Sequence, residues 1–135
     1  MMIKGHTINP GYYEGEAIVT QTPFSFVGEL DPVTGRIPSP SHELFGQSIA
    51  GKVLVCPTGK GSSGAPMTAW KAVKAGTSPG AIICIMAEPI IASAAITADI
   101  PMIDRIEKDL FEIIKTGDYL KVDATKGIIE ISDKG

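Results

Sequence analysis

A chain of 135 residues with 44% hydrophobic content has enough apolar material for one compact domain with a real core. A net charge of −3, with the twelve Lys and Arg scattered along the chain, gives no basic field for a phosphate backbone and argues against nucleic-acid binding. No apolar run approaches the roughly 18 to 20 residues that span a bilayer. The start, Met1-Met2-Ile3-Lys4-Gly5-His6, lacks the apolar core of a secretory signal, so the expected location is the cytoplasm.

Residues 1–13 contain Gly5, Pro10 and Gly11 and read as an irregular or edge segment. Gly15 to Thr20 reads as the first strand, rich in β-branched residues, and a second short strand is expected near Phe24 to Val27. Asp31-Pro32 followed by Thr34-Gly35 is turn chemistry. From there to Ser48 the chain reads as a long loop, of the kind that faces a ligand or partner. Within it His42 reads as a loop histidine with a local hydrogen bond.

Lys52 to Cys56 is a short, nearly continuous apolar run, which predicts a strand buried on both faces and hence parallel to its neighbours. Ala65 to Ala75 predicts a helix, with Pro66 in its first turn, Met67, Trp70 and Val73 on one side, and Gly76 as its stop. Ala81 to Met86 predicts a second buried strand. Residues 52–86 therefore form a βαβ unit with an expected right-handed crossover.

Glu88 to Ala98, with Pro89 in the first turn, predicts a small, largely buried helix. Ile100 to Ile103 predicts a strand leading to Asp104. A capping box of Asp104 and Glu107 is expected to open a further helix, whose apolar residues Ile106, Leu110, Ile113 and Ile114 recur at helical spacing and which Gly117 stops. The tail alternates apolar and polar residues around Ala124-Thr125-Lys126 and predicts a β-hairpin. Cys56 and Cys84 lie in apolar runs and read as buried thiols. Two cysteines outside any C-x-x-C pair cannot form a four-thiolate metal site on this chain.

The stretch with chemistry is Gly59-Lys60-Gly61-Ser62-Ser63-Gly64, a glycine-rich turn between the first strand of the βαβ unit and its helix. Open α/β sheets bind ligands at the carboxyl ends of their strands, and a helix N-terminus presents free N–H groups and partial positive charge to anions. A nucleotide P-loop would need glycine where Leu54 stands and a hydroxyl residue where Gly61 stands. Gly59, Gly61 and Gly64 match the dinucleotide glycine spacing, but no acidic residue closes a second strand roughly 20 residues later. Ser63 is placed to cap the helix, which leaves the Ser62 hydroxyl free for a ligand. A Ser-His-Asp arrangement would need His42 beside Ser62, and nothing in the spacing brings them together.

Gly15-Glu16-Ala17, Asp31-Pro32-x-Thr34-Gly35-x-Ile37, His42, Gly46, Gly51 to Val55, Gly59 to Ser63, Ala81 to Ile83 and Ile100-Pro101-x-Ile103-Asp104 together resemble the small subunit of the aconitase X family over about residues 14–104. The resemblance implies one α/β domain over residues 1–135, a swivelling β/β/α domain with a central βαβ unit and a mixed sheet. It also implies a heterodimer with a large catalytic subunit, which carries the [4Fe-4S] cluster through its own cysteines. Ser62 then takes the place of the catalytic serine of the aconitase Gly-Ser-Ser-Arg turn and moves a proton beside the leaving hydroxyl. Lys60, Gly61, Ser63 and Gly64 become substrate-binding positions.

Where aconitases have arginine after the two serines, this chain has Gly64, so the resemblance does not extend to citrate-type recognition. The implied activity is a hydro-lyase removing water from (R)-5-phosphomevalonate to give trans-anhydromevalonate 5-phosphate, a step of isoprenoid biosynthesis through mevalonate. Relatives acting on cis-3-hydroxy-L-proline are the alternative. From other classes, a phosphoryl-carrying swivel domain would use His42 as carrier, but the glycine and threonine such carriers place before their histidine are missing. A non-catalytic interaction module is the third reading. The 28–48 loop is a candidate for part of the contact surface.

Overall fold

The computed structural model describes residues 1–132. Its frame is a mixed eight-stranded sheet in the order β1-β8-β7-β3-β4-β5-β6-β2. The expected buried strands are β4 (Val53–Cys56) and β5 (Ala81–Cys84). They pair in parallel with each other, β3 (Tyr12–Val19) pairs in parallel with β4, and β6 (Met102–Asp104) pairs in parallel with β5. On the other side of β3 run the antiparallel hairpin β7 (Tyr119–Asp123) and β8 (Ile128–Ser132), as the alternating tail predicts.

The N-terminal segment is more regular than its glycines suggest. β1 (Met2–Lys4) pairs with β8 at one edge of the sheet, and β2 (His6–Asn9) pairs with β6 at the other. Only Gly5 separates these two edge strands, so the sheet must curl until its edges are neighbours. The Gly5 N–H donates to the Gly127 carbonyl at 2.8 Å across that seam. A Cβ on Gly5 would sit 2.5 Å from an Ile103 methyl, so the crossing admits no side chain.

Curling divides the core in two. Inside the curve lie Ala17, Val53, Val55, Ala81, Ile83, Ile103, Leu120, Val122 and Ile129. On the outer side, Leu54, Cys56, Ile82, Cys84 and Met102 pack under α2 (Ala65–Ala75) and α3 (Pro89–Ala98), together with Phe24, Phe26, Leu30, Ile37 and Ile49 of the long connection. Successive residues of β4 and β5 therefore alternate between two cores, which is why both strands read as unbroken apolar runs.

α2 ends as predicted, with Gly76 in the left-handed conformation at φ 76°. Its large apolar residues share one side, and that side faces outward. Ala65, Ala69 and Ala72 are buried against the alanine face of α3 (Ala94, Ala95, Ala98), while Met67, Trp70 and Val73 are exposed by 57%, 44% and 37%. Small residues on both helices let the backbones approach closely, so the large side chains are turned outward.

Three further expectations are corrected. Around Phe24 to Val27 there is no second strand: Phe24 forms a single parallel bridge with Gly59, and Phe26–Glu29 is a short, kinked helical turn (α1) capped by the Ser25 hydroxyl. The helix expected after Asp104 shrinks to α4 (Leu110–Ile113), capped by Asp109. Asp104 cannot cap it, because its buried carboxylate accepts the Ala87 N–H at 2.9 Å and pairs with His6 Nδ1 at 3.0 Å. Arg105 then takes a left-handed φ of 49°, and Glu107 is drawn away to accept the Lys4 N–H.

The 30–49 connection is irregular, as expected, apart from a bridge between Arg36 and Ser48. His42 has its local hydrogen bond, with Nδ1 accepting the Leu44 N–H at 3.0 Å, but the ring is buried and Nε2 has no hydrogen-bond partner among the described residues.

Candidate active site

The Gly59–Gly64 turn leaves the carboxyl end of β4 and delivers the chain into α2, at the position the βαβ reading assigned to it. Its first half is held by backbone. The Phe24 N–H donates to the Thr58 carbonyl at 3.0 Å, and the Lys60 N–H donates back to the Phe24 carbonyl at 3.0 Å. Phe24 is itself fully buried and meets Phe26 edge to face, with ring centroids 5.1 Å apart, so the turn is bolted to the outer core.

The other wall is the N-terminus of α3. Glu88 caps that helix, its two carboxylate oxygens accepting the N–H groups of Ile90 at 2.9 Å and Ile91 at 2.6 Å. A Cβ on Gly59 would lie 2.5 Å from both Glu88 Oε1 and Ile91 Cβ, so glycine is required by contact. Gly61 is less confined, with Ile90 Cγ1 at 3.2 Å, and Gly64 meets only Val27 at 3.5 Å.

The second half of the turn is open. Gly61, Ser62, Ser63 and Gly64 are all exposed. The Ser62 carbonyl accepts the Ala65 N–H at 3.0 Å, which starts α2. The N-cap of α2 is Gly64, without any side-chain capping bond, so the expected cap by Ser63 is not formed. Both serine side chains stand in the open part of the turn. Among the described residues, the N–H groups of Gly61 to Gly64 meet no backbone acceptor. Next to Glu88-capped α3, α2 thus has its positive end free for an anion.

Lys60 is the charged member of the turn. Its Nζ lies 2.6 Å from Glu29 Oε2, and the Glu29 side chain is only 10% exposed against 52% for Lys60. The other Glu29 oxygen accepts the Ser25 N–H at 2.8 Å. Spacing gave no hint of Glu29, which reaches the site because Gly28 at φ 81° folds the 24–30 segment back on itself.

Two clefts flank the turn. One, of about 500 Å³, opens between Pro57-Thr58 and the Ile85–Pro89 segment. The other, of about 450 Å³, is lined by Ser63, Pro66, Met67, Trp70 and Thr97. Among the described residues His42 makes no hydrogen bond to either serine of the turn, and no hydrogen bonds join a Ser-His-Asp set.

The thiols are placed for packing. Cys56 and Cys84 are register partners on β4 and β5, with Sγ atoms 3.5 Å apart in the buried core. The Cys56 sulfur and burial push the Cys84 thiol well above the ordinary range, which disfavours a thiolate ligand. Among the described residues no group of three or more His, Cys, Asp or Glu side chains is arranged to hold a metal ion. The residues present therefore do not fit an iron-sulfur cluster.

A curled mixed sheet with two helices over its parallel strands, and a serine-bearing turn at the carboxyl end of those strands, defines a swivelling β/β/α domain of the aconitase type. The chain belongs to the aconitase X swivel domain family, whose pattern it matches over residues 2–131. It is 46% identical over 132 residues to the phosphomevalonate dehydratase small subunit of Methanocella arvoryzae, covering 98% of this chain and all of that one. It is 43% identical over 132 residues to the protein of the same name from Methanococcoides burtonii, covering 98% and 96% of the two chains. Among solved structures, aconitase X of Thermococcus kodakaraensis superposes with a TM-score of 0.91 at 42% identity, covering 98% of this chain and 99% of that one.

Proposed function

We propose that this chain is the small subunit of a hydro-lyase that dehydrates (R)-5-phosphomevalonate to trans-anhydromevalonate 5-phosphate, and that it works as one swivel domain closing over a large subunit. The observation that carries this reading is an open serine turn, at the carboxyl end of the parallel strands, in a chain 43–46% identical to proteins named as such subunits over nearly their full length. The cluster that family membership calls for would then be held by the large subunit, where it would supply Lewis acidity.

This chain contributes the hydroxyl and the anion cradle. Ser62 is the proton-transfer residue, and Lys60, Gly61, Ser63 and Gly64 hold the substrate's anionic end. A helix N-terminus contributes about 0.3 to 1 kcal/mol, rising to about 2 when partly buried. That is far too little to ionise the Ser62 hydroxyl near neutrality, so further positive charge is needed, from Lys60, a substrate contact or a metal on the large subunit.

The test is to co-purify the chain with its cluster-bearing large subunit and to assay 5-phosphomevalonate and cis-3-hydroxy-L-proline side by side. Turnover of the phosphorylated substrate supports the reading. Turnover of hydroxyproline alone would refute it.

A further inference from the structure

The Lys60–Glu29 pair is built in an unusual way for a surface ion pair. Glu29 is buried, and its neighbours fix it: Phe24, Phe26 and Leu30 anchor the segment in the core, Ser25 caps its helical turn, and Gly28 reverses the chain. One carboxylate oxygen is committed to the Ser25 N–H, leaving the other for Lys60. A buried carboxylate left unpaired is costly, so the lysine is drawn to it rather than free to wander.

An ammonium has three donors, and Glu29 takes one. The side chain of Lys60 is half exposed, so its remaining donors are open to solvent, and the residue immediately precedes the open Gly61 to Gly64 stretch in the chain. Lysine is ordinarily a flexible point charge; here the Glu29 carboxylate tethers it.

We propose that Glu29 is a positioning residue: it holds the Lys60 ammonium at the edge of the Gly61–Gly64 turn, where the remaining N–H donors meet the phosphate of the substrate. This rests on the functional reading above. It also makes a prediction whose sign separates positioning from simple charge balance. Removing the Glu29 charge leaves Lys60 unneutralised, which on long-range electrostatics alone would strengthen anion binding. If positioning governs, binding weakens instead.

The experiment uses the assembled complex with 5-phosphomevalonate and the variants Glu29→Gln, Lys60→Met and the double variant. Glu29→Gln keeps the shape and the acceptor for Ser25. We expect it to raise KM about tenfold, the size of one misplaced charge-assisted hydrogen bond, with kcat within about threefold. Lys60→Met should raise KM at least as much, and the double variant no further. A KM that falls or holds in Glu29→Gln, or two losses that multiply in the double variant, would overturn the proposal.

Should Glu29→Gln fail to assemble, the wild-type chain decides by nuclear Overhauser contacts between the Lys60 ε-methylene and Glu29 γ-methylene protons. Their presence together with the Lys60→Met loss supports the tether, and their absence refutes it. A wild-type complex inert towards 5-phosphomevalonate would refute the functional reading instead, while the proton contacts still report on the tether.

Discussion

The glycines of the turn are there for different physical reasons, and alanine substitution separates them. In Gly59→Ala the new Cβ meets Ile91 Cβ and Glu88 Oε1 at 2.5 Å. The first of these is rooted close to the helix backbone and cannot rotate away. Overpacking of this kind costs about 1 to 3 kcal/mol. Displacing Glu88 also weakens the cap on α3, which is worth about 1 kcal/mol. The expected loss is therefore about 2 to 4 kcal/mol, a large part of the 5 to 15 kcal/mol available to an ordinary domain.

Gly61→Ala meets Ile90 Cγ1 at 3.2 Å, and that side chain can give by a few tenths of an ångström, so its cost should stay below about 1 kcal/mol. Gly64 sits at φ −80° and ψ −6° with only ordinary contact to Val27, so alanine there should be neutral within about 0.5 kcal/mol. Urea unfolding of the isolated chain, followed by circular dichroism, measures all three. The order Gly59 > Gly61 > Gly64 is required. A Gly64→Ala loss equal to that of Gly59→Ala would refute the packing described for the turn.

Ser62→Ala in the assembled complex should lower kcat by roughly 10²- to 10⁴-fold, the usual contribution of a positioned acid or base. The melting temperature should not move, because the side chain is exposed. Ser63→Ala should also leave stability unchanged, since Gly64 and not Ser63 is the helix cap; a loss of about 1 kcal/mol would restore the capping role. Asp104→Asn removes the charge that His6 and Arg105 face while keeping an acceptor for Ala87, and should cost about 1 to 3 kcal/mol in urea unfolding. For Glu43, the Thr20 hydroxyl and then the Gln21 N–H hold the carboxyl below the usual glutamate range. A depressed folded-state pKa stabilises above the unfolded value of about 4.3 and is lost as pH falls through the folded value. Wild type should therefore melt slightly above Glu43→Gln at pH 7, and the gap should shrink as pH falls below the unfolded value of about 4.3.

Elements with local signals were legible in the sequence. Pro66 and Gly76 bound α2 correctly, the apolar runs gave β4 and β5, and the alternating tail gave the β7–β8 hairpin. These determinants sit within a few residues of what they determine. Edge strands β1 and β2 have no such signal, because they are three and four residues long and their partners, β8 and β6, lie about a hundred residues away. The 106, 110, 113, 114 periodicity suggested a long helix, yet tertiary hydrogen bonds to Asp104 and Glu107 override it and leave one turn.

At the site, the turn and its place at the strand ends were readable from glycine spacing and flanking elements. Glu29 was not, since it depends on a left-handed Gly28 and on burial of Phe24 and Phe26. The division of labour between the serines was also out of reach. Both serines stand close enough to the helix start to fit a cap, yet α2 begins at Ala65 with no side-chain capping bond, which no local pattern reveals.

The central claim is that this chain lends Ser62 to chemistry centred on another subunit. It is tested most directly by titrating the chain into its purified cluster-bearing large subunit and following dehydration of 5-phosphomevalonate. Turnover should be negligible without the chain, rise to saturation at one chain per large subunit, and reach an equally saturable but far lower plateau with Ser62→Ala. Full turnover by the large subunit alone, or the same plateau with Ser62→Ala, would contradict it.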